Sequence, residues 1–339
     1  MLHCRSKYYR TRLSSDEDKS IYDKILSGLA NCEKEIKIRQ VLSKKTYLDI
    51  NKIVGYVRLD NPGLFYVDFS KVYYYEEKYL NLLGCITVSF SYKYTIEDIR
   101  KIENILRTKI ADVAKNACKL SDQYKTELVL HDWLALNVNY DDSKSCQHYA
   151  HEATGPLLKG RAVCEGYALA FKLLCDAAGI SNIVVFGDVH GNGILNDGGH
   201  AWNIVKINGR FYHIDVTWDS CVKVGRRPGY AYFNITDSEI MVDHSWENNF
   251  YPSCSNTADN YYVVNGILFK NRDYAEKYVI DRVNKGQKSI IIKVKRGLNT
   301  AKDVDNFIEK TFNSPLIKRQ CHIQYSACHN IGTVDIVFK

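Results

Sequence analysis

The sequence predicts an α+β fold, on three observations. Stretches with helical apolar spacing and stretches with period-two alternation both occur along the chain. Two alternating runs are joined by Asn208-Gly209, the strongest short hairpin signal. The stretch GRAVCEGYALAF, residues 160–171, brings a glycine-rich approach into an apolar-periodic helix with Cys164 at the junction. At 339 residues the chain exceeds what one core usually serves. Two domains, or one with large additions, are expected.

Taken in order, residues 16–45 read as a helix, with Ile21, Ile25, Leu29 and Ile36 recurring among charges. NPGLFYVDF (61–69) and CITVSFSYKY (85–94) read as strands. Thr95 is placed to cap a helix through about Leu120, with Ile99, Ile102, Leu106, Ile110 and Val113 on one stripe. A second helix, Ser121 to about Asn137, carries Leu128, Val129 and Trp133. Between Asn139 and Gly160 periodicity is lost, which predicts a long surface loop feeding the cysteine helix. That helix stops at Gly179, and NIVVFGDV (182–189) follows as a buried strand. After about Asn260, YYVVNGILF signals a hairpin, DYAEKYVIDRV a helix, KSIIIKVK a strand and DVDNFIEKTF a helix, with strands near CHIQYS and TVDIVF. The expected organisation is an N-terminal helical and strand-containing region over 1–120, a core over 121–259 and a C-terminal α+β domain over 260–339.

Composition excludes several classes. The net charge of +7 is the difference of 46 basic and 39 acidic residues spread along the chain, and no groove-reading or aromatic RNA motif accompanies it, so no nucleic-acid partner is expected. No apolar run is long enough to span a bilayer and no signal peptide is visible, so the expectation is a cytoplasmic protein without a membrane partner; a chain trimmed of a secretion leader would read the same. Eleven cysteines without C-x-x-C pairs read as free thiols in a reducing compartment. Cys321 and Cys328 have no second pair at zinc-finger spacing and read as thiols in or between C-terminal strands.

The hairpin in GGHAWNIVKINGRFYHIDVTWD (198–219) has a calculable register. With Asn208 and Gly209 as the turn, Ile207 faces Arg210, Trp202 faces Asp215 and His200 faces Thr217. Alternation places His200, Trp202 and Ile204 with His213, Asp215 and Thr217, and Ala201, Val205 and Ile207 with Tyr212, Ile214, Val216 and Trp218. His200 and Asp215 are then diagonal neighbours with Cα atoms about 7–8 Å apart, close enough for their side chains to bond. A carboxylate-held imidazole has a fixed tautomer and a stabilised cation, as a thiol's general base requires. Cys164, at the first helical turn, has backbone N–H groups that favour a thiolate and can hold an oxyanion. Cys175 lies about 16 Å further along the same helix and reads as core. His213 is the alternative base and Asp219 the alternative orienter. His244, His148 and His151 have no register argument and read as surface or locally bonded.

These residues resemble a family. GRAVCEGYALAF, the hairpin block, and the later YFNITD and DHSW are similar to the bacterial transglutaminase-like superfamily, papain-like enzymes with Cys, His and Asp in that chain order, over about residues 120–255. The resemblance implies a core in which the nucleophile begins a helix packed on an antiparallel sheet carrying base and acid, so that 121–259 is a catalytic core. By matching position Cys164 is the nucleophile, His200 the base and Asp215 the orienter. Where relatives have an aromatic residue and a glycine upstream, this chain has Thr154 and Gly155, which bears on the pocket wall. Calcium dependence belongs to animal members of the superfamily; no EF-hand loop or comparable acidic cluster is present here, so no metal and no cofactor is expected.

The function expected is a cysteine-nucleophile acyl-transfer enzyme on peptide or side-chain amides, with a protein or peptide substrate. Hydrolysis of the peptidase type is preferred, because water is always at hand and an amine acceptor needs a second site. Glutamine transamidation or deamidation is the near alternative, and a catalytically silent binding or scaffold protein of the same fold the distant one. Trp202, on the calculated face, is the substrate-pocket candidate.

Overall fold

The computed structural model describes residues 6–41, 44–79, 83–143, 147–190, 198–222, 227–319 and 322–338. It opens with a short helix α1 (Tyr8–Thr11) and α2 (Asp16–Ala30), whose first turn is capped by the Ser15 side chain accepting from Asp18 N. The helix expected to run to residue 45 ends here. Cys32 takes a left-handed φ of 58°, and the following Glu-Ile-Lys-Ile alternation, with Ile36 and Ile38 buried, makes a strand β1 (Glu35–Val41). Ile36 therefore continues the helical spacing of α2 only by coincidence. A helix not anticipated from the sequence, α3 (Lys44–Asp60), leads to β2 (Val67–Tyr79) and β3 (Leu83–Tyr92), which form an antiparallel sheet in the order β1-β3-β2. The strand expected at 61–69 begins only at Val67, after a turn through residues 61–66.

The two following helices form as expected, α4 (Ile96–Ala117) capped by Thr95 and α5 (Gln123–Asn137) capped by Asp122. The segment 139–160 is not structureless. It holds a short strand β4 (Asn139–Tyr140), a 3₁₀ turn at His148–His151 and a π turn at Gly155–Lys159, and β4 pairs in parallel with β5 (Arg161–Ala162). Next come α6 (Cys164–Ala177), which gives way at Gly179 with φ 78°, and β6 (Ser181–Val189), β7 (Gly198–Ile207) and β8 (Arg210–Ile214). The hairpin register is as calculated, from Ile207 opposite Arg210 to Asn203 opposite Ile214. Its turn residues Asn208 and Gly209 have φ of 50° and 82°, the left-handed pair that a type I′ turn needs.

The alternation does not persist past Ile214. Asp215 leaves the strand and caps α7 (Val216–Cys221), so Thr217 is not opposite His200, and Trp218 turns away from the face assigned to it. Ala201, Val205, Tyr212, Ile214 and Val216 pack with α6 in the main core, whereas Trp218 joins Trp202 and Ile204 in a second cluster on the other side of the sheet. A short helix α8 (Asp237–Ile240) and a two-residue strand β9 (His244–Ser245) complete a four-stranded antiparallel sheet in the order β8-β7-β6-β9.

Instead of the expected hairpin, YYVVNGILF forms a single helical turn α9 (Tyr261–Val264), capped by Asn260, and then β10 (Leu268–Phe269). The remaining elements are α10 (Arg272–Asn284), β11 (Ser289–Val294), α11 (Ala301–Phe312), β12 (Ile323–Cys328) and β13 (Thr333–Phe338). Their sheet, ordered β10-β11-β13-β12, has its own core around Val279, Ile292, Phe307 and Val334. The unit is joined to the rest: Cys328 and Ile331 enter the cluster of Trp202 and Trp218, and Lys293 Nζ lies 2.6 Å from Glu239 Oε1. The main core runs from Leu13 to Phe233 and also takes in Tyr262 and Ile291 of this unit.

Candidate active site

Helix α6 is buried along its length, from Gly166 to Asp176, which fixes its axis in the core and leaves Cys164 half-buried at its tip. Val163, extended at the N-cap, supplies no side-chain cap. The N–H groups of the first turn thus remain available to an acceptor arriving from outside the helix.

His200 reaches this tip from β7, 3% exposed. Its Nε2 donates to Asp215 Oδ2 at 2.7 Å, which leaves Nδ1 as the nitrogen for the thiol. Burial opposes a charge on this imidazole, yet the Asp215 carboxylate and the hydrogen bond and charge of Cys164 raise its pKa to about 10. Asp215 is fully buried, and burial alone would push its carboxyl up. His200 and His244 overcome that and hold it well below the usual carboxylate range. Its Oδ1 accepts from Trp218 N at 3.1 Å as the cap of α7. Cys164, His200 and Asp215 are thus brought together, by a route the alternation did not describe: the acid arrives on a helix cap.

The sequence reading missed His244. Far from the surface, it is 1% exposed, with Nε2 3.2 Å from Asp215 Oδ2 and Nδ1 2.6 Å from Asp243 Oδ1. Asp243 Oδ2 in turn accepts from Tyr232 Oη at 2.7 Å, and Tyr232 Oη lies 3.4 Å from Cys328 Sγ. What places His244 is the pairing of β9 with β6, Val189 opposite His244. Gly187 permits that approach, since a Cβ there would lie 2.1 Å from Ser245 O and 2.7 Å from the Trp202 ring. The signal available in the sequence was the DHSW block itself.

Other candidates are engaged elsewhere. Trp202, expected to line a pocket, is 1% exposed and stacks behind His200 with ring centroids 6.0 Å apart. Its Nε1 donates to His213 Nδ1 at 3.0 Å, and His213 Nε2 meets Asp237 Oδ1 at 2.9 Å, so His213 has neither nitrogen free for a thiol. Asp219 orients a different histidine, His131, at 3.1 Å. Cys175 is fully buried core, as expected. His148 and His151 make local bonds, to Tyr94 Oη at 3.1 Å and Glu165 Oε2 at 3.3 Å. Cys328 is a buried thiol on β12, and Cys321 lies outside the described residues.

Among the described residues two groups gather metal-ligand atoms, His200 with Asp215 and His244, and His213 with Asp237 and Cys254. Hydrogen bonding opposes a metal in both. Asp215 Oδ2 already accepts from two imidazoles. An indole N–H only donates, so His213 Nδ1 is an acceptor and its proton sits on Nε2, the atom a metal would need bare.

A cavity of about 470 Å³ borders the same helix tip. Glu165 and Leu169, one helical turn apart, form one wall, and Arg58, Phe65, Phe69 and His151 are among the residues opposite. Glu165 is ion-paired with Arg58.

Residues 93–216 match the family model of the transglutaminase-like superfamily. Kyphoscoliosis peptidase from Mus musculus and from Homo sapiens are each 30% identical over 96 residues, which is 26% of this chain and 14% of each relative. The chain therefore spans a small part of those relatives. A solved TGase structure is similar with a TM-score of 0.31 and 11% identity, covering 55% of this chain and 51% of that one. A candidate cysteine protease from Cytophaga hutchinsonii is similar with a TM-score of 0.28 and 15% identity, covering 44% and 62%. No described helix is long and apolar enough to cross a membrane.

Proposed function

We propose that the transglutaminase-like segment of this chain makes it a cysteine-nucleophile acyl-transfer enzyme on peptide or side-chain amides, and that its acyl group passes to water. The observation that carries this reading is His200, bonded to buried Asp215 at 2.7 Å and with its pKa raised beside Cys164 at an uncapped helix start.

In this reading His200 Nδ1 takes the Cys164 proton, and the thiolate attacks the amide carbonyl. The oxyanion is met by N–H groups of the first turn of α6. His200 gives the proton to the leaving nitrogen, the C–N bond breaks, and a thioester remains on Cys164. Water, deprotonated by His200, attacks the thioester carbonyl, and the thiol is restored with a carboxylic acid as product. Asp215 stays ionised throughout, holding Nε2–H and so keeping Nδ1 toward sulfur. The cavity beside Glu165 is the place for a substrate side chain.

The test is selective alkylation with iodoacetamide at about pH 6, read by peptide mass mapping. Cys164 is expected to react faster than the other ten thiols, and His200→Ala to remove that advantage. Equal reactivity in both proteins rejects the reading and favours a silent scaffold. With a peptide library, chain cleavage with gain of water marks hydrolysis, a shift of about one dalton marks deamidation, and amine incorporation marks transamidation.

A further inference from the structure

Asp215 Oδ2 receives two imidazoles, and only one of them faces the thiol. His200 Nε2 lies 2.7 Å from it and His244 Nε2 3.2 Å, with the two rings 5.4 Å apart and steeply inclined. A carboxylate capping a helix through Oδ1 and bonded to a single histidine through Oδ2 can still tilt about its Cβ–Cγ bond. A second donor on Oδ2, from another direction, removes that freedom.

His244 is itself held. Nδ1 is bonded to Asp243 at 2.6 Å, Asp243 is held by Tyr232 Oη at 2.7 Å, and the ring packs on Trp218 at 4.4 Å and Trp202 at 5.0 Å. The chain of contacts ends at Cys328 on β12 of the C-terminal unit, 3.4 Å from Tyr232 Oη. Every polar group along it is buried, so each depends on its neighbour for a partner.

We propose that His244 is a positioning residue for the site: by donating Nε2–H to Asp215 Oδ2 it fixes the carboxylate that orients His200, and Asp243 and Tyr232 fix His244 from the C-terminal side. The inference rests on the reading of Cys164, His200 and Asp215 given above. It goes beyond that reading in assigning a fourth side chain, 29 residues past the acid, and in tying the site's geometry to the docked C-terminal unit.

Two substitutions separate positioning from simple packing. Glutamine places an amide N–H about where histidine has Nε2, so His244→Gln keeps a donor to Asp215 and loses the bond to Asp243. Asparagine places its amide about where histidine has Nδ1, so His244→Asn keeps the bond to Asp243 and loses the one to Asp215. The full-length chain is treated with iodoacetamide across pH 5 to 9, with the rate at Cys164 read by mass mapping and folding followed by thermal melting. His244→Asn is expected to slow Cys164 at pH 6 by roughly tenfold, the size that a lost hydrogen bond to a charged group carries, and to move the rise of the rate with pH upward. His244→Gln, which keeps the donor to Asp215 but gives up the hold of Asp243, is expected to lose clearly less than His244→Asn, about threefold or under. Wild-type rates in His244→Asn, or equal losses in both variants that follow their melting temperatures, overturn the proposal. If wild-type Cys164 shows no advantage over the other thiols, or His200→Ala leaves that advantage intact, the reading of the site has failed and this inference falls with it.

Discussion

Trp202 and His213 are joined side chain to side chain, indole Nε1 to imidazole Nδ1 at 3.0 Å, in a fully buried layer behind the site. Because an indole only donates, this bond sets the tautomer of His213, and burial lowers its pKa, so the ring is neutral. Trp202→Phe leaves Nδ1 buried and unpaired and is expected to cost about 1–3 kcal/mol in urea unfolding. Treatment of the wild type with EDTA is expected to leave its melting temperature unchanged. A marked drop would place a metal on one of the two groups, His213, Asp237 and Cys254 or His200, Asp215 and His244.

Asp215→Asn separates the charge of the acid from its place in the fold. Asparagine caps helices as well as aspartate, so α7 is expected to keep its first turn, while loss of the buried charge that faces His200 and His244 is expected to lower stability by roughly 3 kcal/mol or more. With the amide oxygen on Trp218 N, however, the amide nitrogen faces His200 Nε2. A donor there forces the proton onto Nδ1, and the imidazole can no longer accept from sulfur. The alkylation rate of Cys164 at pH 6 is expected to fall at least about a hundredfold, measured at a temperature where the variant is still folded by its melting curve.

His131 gives a pH signature separate from the site. Burial works against its charge, but Asp132 at 3.0 Å and Asp219 at 3.1 Å outweigh it and raise its pKa from 6.5 to about 9. A raised folded-state pKa means stability fully present below pH 6.5 and lost as pH rises through about 9. The difference in unfolding free energy between wild type and His131→Gln is expected to shrink by up to roughly 3 kcal/mol across that window. A constant difference from pH 6 to 9.5 in denaturant titrations refutes the charged pairing.

Gly187→Ala tests the approach of β9. The added Cβ would meet Ser245 O, a backbone atom, at 2.1 Å and the Trp202 ring at 2.7 Å, so the strand must yield along with the indole behind His200. A loss of roughly 2 kcal/mol or more in unfolding free energy is expected, with slower alkylation of Cys164 because His244 moves with β9.

The hairpin was legible in the sequence because a two-residue left-handed turn fixes every pairing after it, and the observed register from Asn203 to Ile214 is the calculated one. Thr95 and Gly179 marked helix ends for the same reason: local chemistry sets a local outcome. Reading failed where a local rule was carried past its end. Strict alternation extended through Asp215 into what is a helix cap, which misplaced Thr217 and Trp218. Helical spacing was extended through Cys32 into a strand. His244 escaped because a two-residue strand has no periodicity of its own and exists only through pairing with β6.

Asp215 caps α7, 51 residues after Cys164 in the chain, and β9 comes later still. During synthesis the thiol is made long before its partners. In a chain emerging from the ribosome, Cys164 has neither His200 nor Asp215 beside it, and β6 has no β9 until residues through Ser245 have been translated. On the reading proposed above, the thiol would gain its base and acid only as this sheet is completed.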